Sequence, residues 1–177
     1  MEVEGRLVSG HWEGDLIKGA GNRSSVGTPV ERTSRKLVLV KLTDAKAETA
    51  RDGFAAGLLA VPTPLRLTST CDQDKEMARH RELVALTGVR VYFTDLHAPW
   101  QRGSNGNTNG LLRQYLPKGT NLSVFSQAGL DAIAARLNSR PRKTLGFATP
   151  DEVFAALVDK AANAITARNA EGVRYGT

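Results

Sequence analysis

Little in this chain can cross-link, bind a soft metal or enter a bilayer. It has one cysteine, three histidines and only 6% aromatic residues, which excludes a disulfide scaffold and a Cys/His zinc cluster. No apolar run approaches the ~20 residues of a membrane-spanning helix. The start, Met1-Glu2-Val3-Glu4, is acidic and lacks an apolar h-region, so no signal peptide is expected and a reducing, cytoplasmic location follows. Lone Cys71 ends the alternating stretch from Leu65 and reads as a small core hydrophobe rather than a nucleophile. Internal repeats, low-complexity tracts and long linkers rich in Gly, Pro or Ser are also missing. The 177 residues, 41% hydrophobic and 24% charged, therefore read as one globular domain.

Negative charge is scarce in one window. From Leu96 to Pro150 there are seven bases (Arg102, Arg113, Lys118, Arg136, Arg140, Arg142, Lys143) against one acid, Asp131. That window carries the whole net charge of +6, and the remainder balances. A basic block beside a neutral body is either a solvated face or a footprint for a polyanion, of which a phosphate backbone is the commonest.

The first third of the chain predicts a three-stranded meander: His11 to Ile17, Ser25 to Arg32 and Lys36 to Leu42, with Pro29 favouring an edge or a bulge. Ala47, Ala50, Phe54 and Leu58 recur at helical spacing, with Thr43 placed to cap and Pro62 and Pro64 to stop the helix; Gly53 and Gly57 weaken it. A strand from Leu65 to Cys71, a helix carrying Met77 to Leu86 and ending at Gly88, and a strand through Val91 and Phe93 then imply parallel pairing by helical crossovers. The polar stretch Pro99 to Asn107 reads as a loop leading into a helix at Leu111 to Leu116, and a further helix spans Ser126 to Asn138. Thr149-Pro150-Asp151-Glu152 is a strong helix start, while the tail beyond Arg168 is expected to fray.

Two carboxylates stand in telling places. Asp15 interrupts an apolar strand, where desolvation is costly unless a metal ion or an exposed edge compensates it. Asp72 follows the strand ending at Cys71, at the edge where ligands collect in open α/β sheets, and it equally suits a plain helix N-cap.

The words around them resemble the catalytic core of DDE transposases of the IS-thirty insertion-sequence family. The resemblance is carried by Gly10-His11-Trp12-Glu13-Gly14-Asp15-Leu16-Ile17, by Val30-Glu31-Arg32-Thr33-Ser34-Arg35, by Asp72-Gln73 with Lys75-Glu76-Met77-Ala78, and by His97 with Pro99-Trp100-Gln101-Arg102-Gly103 through Asn107 to Arg113. A fifth segment runs from Leu137 through Arg140-Pro141-Arg142-Lys143-Thr144-Leu145-Gly146-Phe147 to Pro150. The resemblance implies an α/β, ribonuclease-H-like fold of the retroviral integrase type, a mixed five-stranded sheet with flanking helices. It implies a catalytic core at 1–160 and a C-terminal helical extension or tail at 161–177, with no counterpart here of the family's N-terminal helix-turn-helix region. It further implies Mg²⁺ or Mn²⁺ held by three carboxylates, DNA (transposon ends and target) as partner, and a homo-oligomer in the DNA complex.

Residue by residue, Asp15 and Asp72 match the first and second carboxylates and so the metal ligands. The family's third, a Glu with thirty-three residues between it and the second Asp, is Gly106 here, with Asn105 and Asn107 fixing the register. Glycine offers no ligand, so the two-metal site is expected to be incomplete and cleavage and strand transfer impaired; nothing in the sequence argues that Glu76 fills in. Asp74 and Cys71 are also off-pattern beside the second carboxylate. Alternatives are a catalytically inactive DNA-binding or oligomerising remnant and a nuclease using the same fold for hydrolysis alone. His97, Trp100, Arg102, Arg113, Arg140, Arg142 and Lys143 are the candidate DNA contacts, with Trp100 equally suited to anchoring a loop. His11 and Trp12 read as packing residues and His80 as solvated.

Overall fold

Strand propensity at the start of the chain produces two interrupted strands. In the computed structural model, which describes residues 8–44, 46–72, 77–94 and 103–174, β1 (His11–Glu13) and β2 (Leu16–Lys18) share one path broken at Gly14-Asp15. β3 (Ser25–Gly27) and β4 (Val30–Glu31) share a second, broken at Thr28-Pro29, where proline removes a ladder donor. Backbone bonds carry the pairing through both breaks: Thr28 N donates to Asp15 O at 2.9 Å and Gly14 N to Thr70 O at 2.8 Å. β5 (Val40–Leu42) is shorter than the expected 36–42 strand, whose first half touches its neighbour only through a Val30–Leu37 bridge.

β6 (Thr68–Cys71) and β7 (Arg90–Phe93) complete two formal sheets, ordered β4-β1-β6-β7 and β2-β3-β5. Followed through the interruptions, they form the expected five-stranded mixed sheet. Its first three strands pair antiparallel, and β1, β6 and β7 pair parallel. Parallel neighbours require crossovers, supplied by α1 (Ala47–Leu59) and α2 (His80–Thr87). α3 (Gly103–Leu112), α4 (Gln127–Asn138) and α5 (Pro150–Arg174) follow.

Alternation along the strands separates two cores. Ile17, Val26, Val30, Leu37 and Leu39 pack against Leu112, Leu130, Ile133 and Leu137 of α3 and α4. On the other face Trp12 lies with Leu58 and Leu65 under Phe154 and Leu157 of α5, and Cys71 packs with Phe54 and Leu83 as a small core hydrophobe. Trp12 is fully buried with its indole N–H donating to Leu65 O at 2.8 Å.

Four local expectations need correction. Thr43 does not cap α1; the N-cap is Lys46, whose N–H is held by Asp44 Oδ1 at 3.0 Å. The stretch read as loop up to Asn107 is helical from Gly103, because partners across the sheet satisfy its polar side chains. His80 is part-buried rather than solvated, edge-on to the Phe93 ring at 4.9 Å. The tail does not fray at Arg168, since α5 continues to Arg174 without a break at residue 160. Its start is a full capping box, with Glu152 N donating to Thr149 Oγ1 at 3.1 Å and Thr149 N to Glu152 Oε2 at 2.8 Å.

Gly53 is set by packing. A Cβ there would lie 2.4 Å from Leu42 Cδ2 and 2.9 Å from Val40 Cγ1, because α1 rides directly on β5. Helix propensity alone predicts that Gly53→Ala gains about 1 kcal/mol. Overpacking costs about 1–3 kcal/mol, so the substitution is expected to lower the urea midpoint; a raised midpoint would show that the α1–β5 contact is loose.

Candidate active site

Helix α3 is a poor helix by composition, and it is held by what lies beneath its first turn. Glu13 is fully buried; its Oε2 accepts from Asn105 N at 2.8 Å, satisfying an amide that the helix itself leaves open. The Asn105 amide donates to Glu13 O at 3.0 Å and Thr28 O at 2.9 Å, and its Oδ1 accepts from Thr28 Oγ1 at 3.2 Å. Arg32, 7% exposed, sets its Nε 3.2 Å from Glu13 Oε1. Glu31, also fully buried, accepts from Gly10 N and from both the N–H and hydroxyl of Ser34. These two buried glutamates and Arg32 are invisible to a search for catalytic carboxylates. Their only signal is acidic and basic residues inside strands that periodicity marks as buried.

The two aspartates occupy matching positions two residues past the last paired residues of β1 and β6. β1 and β6 run parallel in the register His11↔Thr68, Trp12↔Ser69, Glu13↔Thr70, which continued by two residues sets Asp15 beside Asp72. Side chains alternate, so Asp15 shares the face of Glu13 and Ile17, and Asp72 that of Thr68 and Thr70, opposite buried Cys71. The Asn109 contact puts Asp15 on the α3 face of the sheet, and Asp72 directly follows the last residue of β6. Asp15, half-buried, accepts from Leu16 N at 2.8 Å through Oδ1 and from Asn109 Nδ2 at 2.9 Å through Oδ2. Asp72 Oδ1 accepts from Thr94 Oγ1 at 3.1 Å, and Thr94 N donates to Cys71 O, fixing the end of β7 beside it. Gly14 permits this closeness, since a Cβ there would lie 2.9 Å from both Cys71 Sγ and Phe54 Cε1.

Gly106 lies in the first half of α3, one turn before Asn109, and among the described residues a Cβ built on it meets nothing within 4 Å. Residues three apart share a helix face, so a longer side chain at 106 has free space on the flank that Asn109 turns to Asp15. The Asn109 Oδ1 is buried, and among the described residues nothing donates to it. Among the described residues no three His, Cys, Asp or Glu side chains converge. Two carboxylates and an unused amide oxygen are hard donors and fit a divalent cation of the Mg²⁺ type, with one anionic ligand fewer than a three-carboxylate site.

The basic residues are less alike than in sequence. Arg140 is exposed, stacked over the Tyr115 ring at 5.8 Å and donating to its hydroxyl at 2.6 Å, and Lys143 is exposed. Arg142 is half-buried and donates to Leu137 O at 3.1 Å. Arg113 donates to Leu116 O at 3.3 Å, tying the turn after α3. His97, Trp100, Arg102, Glu76 and Asp74 lie outside the described residues.

No protein-family model matches the chain. Its fold is that of an integrase catalytic core, in the ribonuclease-H-like class: the core domain of bovine immunodeficiency virus integrase superposes with a TM-score of 0.65 at 17% identity, covering 88% of this chain and 99% of that one. A chain in the structure of a simian T-cell lymphotropic virus intasome in complex with PP2A regulatory subunit B56 gamma gives 0.58 at 16% identity, over 75% of this chain and 49% of that one. Among curated sequences, the transposase of insertion sequence IS1086 from Cupriavidus metallidurans is 63% identical over 89% of this chain and 46% of its own length. The InsI transposase of IS30A from Escherichia coli is 47% identical over 86% and 39%. Over most of its own length the chain is similar to these insertion-sequence transposases, and it spans about half the length of the curated relatives it matches.

The buried network predicts a stability effect. Glu13→Ala strands Arg32 without its counter-charge and frees the Asn105 amide, and is expected to cost about 3–5 kcal/mol in urea unfolding. Glu13→Gln, which keeps an acceptor for Asn105, should cost less; equal small losses would mean that α3 does not depend on this contact.

Proposed function

We propose that this chain is the catalytic core of a DNA transposase, with residues 1–160 forming the core and 161–177 a helical extension, and that its chemistry is impaired at Gly106. The observation that supports the reading most is the parallel β1–β6 register, which ends at Glu13 and Thr70, two residues before Asp15 and Asp72. In this reading Asp15 and Asp72 hold a divalent cation, Mg²⁺ or Mn²⁺, as charged oxygen donors. Such an ion supplies Lewis-acid activation of an attacking hydroxyl or water and charge relief at the scissile phosphate. Asn109 orients Asp15 through its amide N–H, and Thr94 orients Asp72. The Glu13–Asn105 contact keeps α3, and with it Asn109, at the distance the site requires.

DNA is the substrate, both transposon ends and target, and the acting form is a homo-oligomer on DNA. The intasome likeness and the basic window support this. Arg140 and Lys143 are exposed cations suited to phosphate, and Arg113, His97, Trp100 and Arg102 lie in segments close to α3 in sequence. A second reading rests on Gly106 itself: two carboxylates leave a pair of dications with less neutralising charge, so the chain is a DNA-binding or oligomerising remnant. Both readings share the contacts and differ in turnover.

Gly106→Glu separates them. In Mn²⁺, on duplex DNA carrying the element's ends, the variant is expected to cut or join strands ~10²-fold or more faster than the unaltered chain, the scale of one preorganised electrostatic contact. Equal activity in both would place the third ligand elsewhere, and silence in both would favour the remnant. Separately, duplex binding is expected to be independent of sequence and steeply salt-dependent, and neutralising Arg140 and Lys143 should lower the slope of log affinity against log salt by about two. An unchanged slope would move the footprint off this face.

A further inference from the structure

α3 has a second flank, and it faces a cavity. Residues 104, 107, 108 and 111 lie away from Asn105 and Asn109 on the helix, and between them and the segment after α4 opens a cavity of about 260 Å³ lined by Arg35, Ser104, Asn107, Thr108, Arg142 and Thr144. Its chemistry is one-sided. Two guanidiniums, two threonines, a serine and an amide line it, and no carboxylate does so among the described residues. It is smaller than the ~300–1,000 Å³ of pockets for drug-sized ligands, which suits a single small anionic group.

Both arginines are held in place rather than free to wander. Arg35 sits in the left-handed region at φ 63° after the β4 turn, with its N–H donating to Glu31 O at 2.9 Å, and its guanidinium donates to Ser104 Oγ. Arg142 is anchored through Nη2 on Leu137 O, while its Nε is buried and donates to nothing. Burial, and then the charge of Arg140, push this guanidinium below its ordinary pKa. Among the described residues no carboxylate pairs with it. The first turn of α3 adds its positive dipole end to the same cavity.

We infer that this cavity seats one phosphate group of a DNA backbone, gripped by Arg35 and Arg142 on the flank of α3 opposite Asn109. The inference rests on the reading of the chain as DNA-acting. It differs from a general basic face, since one helix separates a held phosphate from the aspartates and a strand bound here has a fixed position relative to them.

The test uses three substitutions and two probes. Asn107→Asp places a carboxylate in the cavity at an exposed helical position where folding tolerates it; Arg35→Gln and Thr144→Glu remove or oppose charge from other elements. Duplex binding is measured across salt concentrations, and inorganic phosphate is titrated into the ¹⁵N-labelled chain. Each variant is expected to lower the salt slope by about one, and phosphate should shift the amides of Ser104, Asn107 and Thr144 in the unaltered chain but not in Asn107→Asp. Salt-dependent DNA binding with unaltered slopes in all three variants would overturn the cavity assignment and leave the DNA reading standing. Absence of DNA binding in the unaltered chain would overturn both, and phosphate shifts in that case would reassign the cavity to a free phosphate-bearing ligand.

Discussion

The Glu13 carboxylate under the first turn of α3 is the contact on which the site depends. A helix written Gly-Ser-Asn-Gly-Asn-Thr-Asn-Gly has neither propensity nor an apolar stripe to hold it. It persists because a buried charge accepts its Asn105 amide and because Asn105 reaches across to the carbonyls of Glu13 and Thr28, the second at the interruption of its strand. Arg32 offsets the cost of burying that carboxylate. Leu112, at the far end of the helix, is locked into the core shared with α4. The helix is thus fixed polar at one end and apolar at the other, with its middle free to face a site.

From that anchoring the rest follows in register. Glu13 and Asp15 share a face, and the same helix that Glu13 caps sends Asn109 to Asp15. Residue 106 lies between Asn105 and Asn109, over open space. Among the described residues a Cβ at 106 would meet nothing within 4 Å, whereas Asn105 is fully buried and hydrogen-bonded to Glu13 and Thr28.

Much of the fold was legible in the sequence, since hydrophobic period and turn chemistry agree over most of the chain: Pro29 marks the strand break, Ser126 and Thr149 cap their helices, and Gly88 ends α2. The interior of α3 was not legible as helix, since its determinants are tertiary hydrogen bonds to residues about ninety positions earlier. The aspartates were legible through the wording around them. Their matching positions came only from the β1–β6 register. Glu13, Glu31 and Arg32 were passed over because buried ionic groups carry no periodic signature, and nothing in the sequence separates Arg142, tied by Nη2 to Leu137 O, from exposed Arg140 and Lys143. Asn109 lies within the resembling words without a role assigned to it there, and the structure alone shows its amide on Asp15.

The central claim is that Asp15 and Asp72 form one hard-cation site against α3. Substoichiometric Mn²⁺ added to the ¹⁵N-labelled chain tests it most directly, because the paramagnetic ion broadens nearby amides without any need for DNA or turnover. The account predicts broadening centred on residues 14–16, the Cys71–Asp72 end of β6 and the Asn109 turn of α3, relieved by Asp15→Asn. Broadening centred elsewhere, or undiminished in that variant, would contradict it.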